Sequence, residues 1–144
     1  MANIIHTDSP SKRRTSILKL IVNLLPHFHA HQTENGLRND AIAFIILSLL
    51  EVEKTISETT APWEKRGFWS KADKFLLEWK WVKETRETLQ ACEGQDGWQE
   101  WPAAMAGLFV RLTEIKPSRK GLGRFWEGSY TLYQKNVKNK KVAK

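Results

Sequence analysis

The residues best able to do chemistry in this chain are cations. Arg119, Lys120 and Arg124 fall in the basic stretch 116–124, which also holds Gly121 and Gly123. Glycine lets a backbone approach an anion closely, so this stretch is the first candidate phosphate contact. It is not a Walker loop, because no Gly-Lys-Ser/Thr follows a strand. Lys12, Arg13 and Arg14 follow Ser9-Pro10, a pair suited to opening a helix. Cations there sit against the positive end of the helix, and a bound anion would relieve the repulsion. Lys65, Arg66, Lys71 and Lys74 form a third group, interleaved with Trp63, Phe68 and Trp69. Aromatics beside cations can stack bases and hold phosphates; they can equally cap the end of a helical bundle.

Other reactive side chains are sparse. His27, His29 and His31 alternate along a short segment, and His27 and His31 share a face if that segment is helical. Imidazoles suit zinc or nickel, but no Cys or carboxylate lies nearby at ligand spacing, so they read as surface histidines at a helix end and no metal is expected. Cys92 is the only cysteine; it excludes a disulfide framework and fits a reducing compartment. No Ser/His/Asp arrangement and no Gly-rich nucleotide loop stands in the chain. The reading is of a non-enzyme without cofactor.

The charge is unevenly placed. Of the net +7, residues 116–144 carry nine Lys/Arg against the single acid Glu127, whereas residues 1–115 are nearly balanced. A localised basic segment points to a polyanion partner, or to a solubilising tail. No signal peptide is expected, since residues 1–9 lack a basic and then apolar start, and no apolar run approaches the roughly 20 residues a membrane helix needs. A cytoplasmic protein is the expectation.

These side chains need elements to hold them. The stretch from Asp40 to Glu51 is apolar at nine of the ten positions between its acidic ends. A helix apolar on every side is a helix surrounded by protein. The spacing predicts this central helix over residues 37–59, with a first helix before it that Pro26 kinks or ends. A third helix is expected over residues 71–93, with Ala72, Phe75, Leu76, Trp79 and Val82 on its inner face and Trp81 turned outward with Lys74 and Thr85. An outward Trp81 is a candidate contact for a protein neighbour or a base. A fourth helix follows over residues 97–115, capped by Asp96, with Pro102 tolerable only if the start lies near Glu100. Phe125, Trp126, Tyr130, Tyr133 and Val137 support a fifth. No sustained period-2 alternation occurs, so the fold class is all-α: a four- to five-helix bundle over residues 10–137, with an arm over 1–9 and a Lys-rich tail over 138–144.

The size, the all-helical pattern, the apolar helix at residues 41–50 and the basic ends Arg119-Lys120 and Lys138–Lys141 together resemble the small helical-bundle subunits of CRISPR effector complexes of the Cascade type. That resemblance spans nearly the whole chain. It implies a subunit without catalytic residues that packs along a filament of backbone subunits, in several copies, and helps hold the guide-RNA/target-DNA duplex or the displaced strand. Some members of that family arise as the C-terminal part of a larger subunit. The family has no fixed motif, so no position carries over singly. The expected function is a nucleic-acid-binding subunit of weak sequence specificity, binding a single strand or an RNA/DNA duplex beside protein partners and no membrane. The alternative is a protein–protein adaptor or regulator using Trp81 and the Trp63–Trp69 loop.

The central helix carries the first prediction. Ile46→Asp buries an unpaired carboxylate and should cost more than about 4 kcal/mol. A circular-dichroism melt should show no cooperative transition near that of the parent; a normal melt would place this helix elsewhere.

Overall fold

A computed structural model describes residues 9–30, 33–95, 97–117 and 123–138. The first helix, α1 (Pro10–Ala30), starts as the Ser-Pro pair requires: the Lys12 N–H donates to Ser9 Oγ at 3.1 Å. Leu18, Ile21, Leu24 and Phe28 recur on its buried stripe. The helix does not end at Pro26 but runs one turn beyond it. Phe28, 2% exposed, is held edge-on against Trp101 with ring centroids 4.8 Å apart. That contact offsets the hydrogen bond a proline removes.

The central helix is α2 (Asn35–Lys65), longer at both ends than the spacing predicts. Ala41, Ile42, Ala43, Ile45, Ile46 and Leu49 are all fully buried, as an all-round apolar helix demands. Its extension passes through Pro62 to the C-cap Arg66, where Gly67 turns the chain with φ +83°.

The third predicted helix is two. α3 (Trp69–Glu78) and α4 (Lys80–Ala91) meet at Trp79, whose φ of −103° and ψ of 8° lie outside the helical region. The break alters the register of everything after it. Trp81 does not point outward; it is half-buried and packs against the core, so it is not the solitary exposed aromatic that an unbroken helix requires. Leu76, expected inside, lies before the break and is 39% exposed.

Between α4 and α5 (Trp101–Leu112) the chain makes a tight turn closed by Gly94 and Gly97. Gly97 has φ +88°, and a Cβ there would fall 2.2 Å from Asn39 Nδ2. This closeness lets Asn39 Oδ1 accept the Trp98 N–H at 3.2 Å. Trp98 is fully buried, its indole N–H donating to the Leu89 carbonyl. The expected fourth helix is therefore shorter, beginning at Trp101 with Pro102 in its first turn; Asp96, its expected cap, lies outside the described residues.

The last helix, α6 (Ser129–Tyr133), runs into a π-helical turn, Gln134–Lys138. It is seated by one side chain from far away: Asp40 Oδ2 accepts the Gly128 N–H and Oδ1 the Tyr130 N–H, both at 3.0 Å. Gly128, at φ +85°, supplies the left-handed entry. Tyr130 Oη donates to Glu93, and Tyr133 packs on Trp98. The buried side chains of α1, α2, α4, α5 and α6 form one cluster, and the described residues contain no strand. The fold is an all-α bundle. Among the described residues no helix is long and apolar enough to cross a membrane.

The α6 seat has a pH signature. Burial, then the Glu93 carboxylate, pushes the Tyr130 phenol up to about 12, and burial also raises Tyr133. Both folded-state values lie above the unfolded value of about 10. The neutral phenols therefore favour the fold fully below that pH, and the contribution is lost as pH rises through the folded values. The melting temperature should fall between about pH 10 and pH 12. Melts of Tyr130→Phe should fall less steeply over that window; an identical slope would show that α6 is seated independently of this phenol.

Candidate nucleic-acid interface

Among the described candidate cations, Arg124 stands apart from the other two groups. α1 and α2 run antiparallel, with Arg13 paired to Glu58 and Arg14 bonded to Thr55 and Thr59. That register brings Lys12 to the end of the bundle where α2 stops and α3 starts. Lys65, Arg66, Lys71 and Lys74 are exposed at the same end. Arg124 is exposed too, but its neighbour Phe125 packs edge-on against Phe44, centroids 5.3 Å apart, in the first third of α2. From Phe44 to Lys65 the helix rises about 30 Å. Arg119 and Lys120 lie outside the described residues.

Arg14 is a correction to the sequence reading. It is 6% exposed and faces no solution phosphate. Its guanidinium lies 5.1 Å from the Phe75 ring centroid and 5.0 Å from that of Trp79, and Nη1 donates to Thr55 Oγ1 at 3.2 Å and Thr59 Oγ1 at 3.3 Å. Burial pulls its pKa below the usual arginine value. It follows the same stripe as Leu18, Ile21 and Leu24, which is the signal that places it inward. Arg13 is partly exposed, but its charge is committed to Glu58.

What remains at the α2–α3 corner is a cation-rich surface with rings on it. Phe68 is 51% and Trp69 59% exposed. Lys71 Nζ sits 4.4 Å from the Trp63 ring centroid, and Trp63 packs edge-on against Phe75 at 5.4 Å. Trp69, Pro62, Ala61 and Lys65 line a shallow hollow of about 720 Å³ beside Glu58 and Glu64. Flat exposed rings and unbonded ammonium groups can hold a phosphodiester chain and stack its bases. The acids temper the field: Glu58 is spent on Arg13, whereas Glu64 faces the hollow.

The expected partner site, Trp81, stands 6.0 Å from Trp79 at an inter-ring angle of 30°. The exposed Arg111 lies over its ring at 5.7 Å, a contact no sequence spacing announces. His27 packs beside Trp126 at 6.0 Å; His31 lies outside the described residues, and among those described no group of three or more His, Cys, Asp or Glu is placed to hold a metal ion.

Arg14→Ala should destabilise the protein by about 2–4 kcal/mol, because it strips four packing partners and leaves the buried Thr55 hydroxyl and the half-buried Thr59 hydroxyl without their donor. Lys12→Ala, on the exposed side of the same turn, should stay within about 0.5 kcal/mol. Urea unfolding of the two variants checks the contrast.

The chain matches no protein-family model, no curated protein and no solved structure.

Proposed function

We propose that the protein is a non-catalytic, nucleic-acid-binding small subunit of a multi-subunit ribonucleoprotein of the CRISPR effector kind. It would contact phosphate backbones of a guide/target duplex or a displaced strand. The observation that carries this reading is the α2–α3 corner, where Lys12, Lys65, Arg66, Lys71 and Lys74 share one end of the bundle with exposed Phe68 and Trp69. Arg124, with Arg119 and Lys120 beside it in sequence, forms a second positive region at a distance along α2. Contacts of this kind are to phosphate and give weak sequence specificity. The partners are nucleic acid and the protein subunits of the larger assembly, with further copies of the chain among them. On this reading the protein works in the cytoplasm, DNA or RNA binding serving antiviral defence.

A second reading is a helical adaptor. It is favoured by α3, which with its cap exposes Phe68, Trp69, Leu76 and Leu77, the last at 72%. Half-buried Trp81 no longer serves it alone, so the adaptor surface shifts to α3.

Filter binding to single- and double-stranded nucleic acid across a salt series separates the two. Binding through the corner predicts a steep loss with salt. Replacing Lys65, Arg66 and Lys74 together by Gln should reduce the slope of log K against log salt by about 2. Arg124→Gln should reduce it by no more than about 1. Little binding at any salt would favour the adaptor.

A further inference from the structure

Cations and rings stack in one continuous ladder across the molecule. Lys71 covers Trp63, Trp63 meets Phe75, Arg14 lies between Phe75 and Trp79, Trp79 leans on Trp81, and Arg111 covers Trp81. The middle is closed: Arg14 is buried and fully engaged. The Arg111 end is open. Arg111 is exposed on α5 and makes no ion pair among the described residues. Trp81 and Arg111 border a hollow of about 430 Å³ whose other walls include Leu18, Leu77 and Ile115. Glu78 is the only acid lining it among the described residues.

We propose that this hollow seats one base of a single-stranded nucleic acid, stacked on Trp81 and closed over by Arg111, whose guanidinium also meets the adjoining phosphate. The inference rests on the nucleic-acid reading above and adds a second, base-contacting site to it. The distances favour a planar guest. A ring sandwiched between Trp81 and a guanidinium needs two contact distances of about 3.5 Å, or about 7 Å in all. Arg111 already stands 5.7 Å from the ring centroid, near the outer limit of about 6 Å for an effective cation–π contact. A long side chain on an exposed helix face can yield the remaining 1–2 Å or so by a rotamer change. The walls mix the apolar Leu18, Leu77 and Ile115 with the charged Glu78 and Arg111, and the Trp81 ring is the flat surface that suits the π-face of a base. The cation at the mouth suits the charge that every base carries on its backbone. An extended peptide finds no ladder partner here: the described lining offers no exposed strand edge.

The test uses the full chain and two labelled oligomers of about 12 nucleotides, within the usual site size for single strands. One is oligothymidine and the other an abasic backbone with the same number of phosphates, both followed by fluorescence anisotropy. The parent protein should bind oligothymidine about five-fold tighter or more. Arg111→Ala and Trp81→Leu should each bring oligothymidine close to the abasic affinity, while abasic binding changes about two-fold or less in Trp81→Leu. If Trp81→Leu fails a melting check, exposed Arg111→Ala carries the result alone. Equal binding of the two oligomers by the parent protein, or a base preference that survives both variants, overturns the stacking site and leaves the phosphate-binding reading standing. No binding of either oligomer overturns both.

Discussion

A guanidinium without a carboxylate organises this bundle. Arg14 is buried, and burying an unpaired cation is costly. Two threonine hydroxyls and two aromatic faces take the place of the missing anion. Those four partners belong to α2, to α3 and to the joint between α3 and α4. One side chain thus fixes the first helix, the central helix and the corner that follows, and the geometry at Trp79 is shaped by the need to present its ring. Arg38 shows the contrast. It is equally buried in the first turn of α2, yet its Nε and Nη2 have no hydrogen-bond partner. Nothing comparable is built around it.

The parts of the fold legible in the sequence are those set by repeated apolar spacing. Residues 41–50 announce a helix enclosed by others, and the stripes of α1 and α5 mark their inner faces. What sequence could not show depends on single contacts between distant residues. An unbroken helix over residues 71–93 is what local pattern supports; the break falls at Trp79, whose ring Arg14 contacts, and Trp81 after it is half-buried. Trp98 falls at the start of the expected fourth helix, but it lies in the turn before α5, where Asn39 and the left-handed Gly97 fold it into the core. The end of α6 carries ordinary helical spacing through Tyr133 and Val137, and nothing local marks its wider π-helical turn.

The candidate interface follows the same division. Lys65, Arg66, Lys71 and Lys74 are exposed, as helix-end cations ordinarily are. Arg14 deceives because proximity to Lys12 and Arg13 in sequence suggests a shared role, while a rotation of 100° per residue sends it to the opposite side. The three basic groups also look like one patch only when the chain is read as a line. Folding separates Arg124 from the corner by most of the length of α2, roughly three to four Debye lengths at physiological salt, so the two act on a polyanion independently.

The Asp40 carboxylate holds the Gly128–Tyr130 segment entirely through main-chain N–H groups. It reads backbone shape and ignores side-chain identity. Toward that anchor, position 130 can drift through any residue except proline, and position 128 is constrained only by its left-handed backbone. Position 40 has no such latitude: even Asn would offer one acceptor where two are used. Mutational tolerance should thus be lopsided across a contact whose two halves lie almost ninety residues apart.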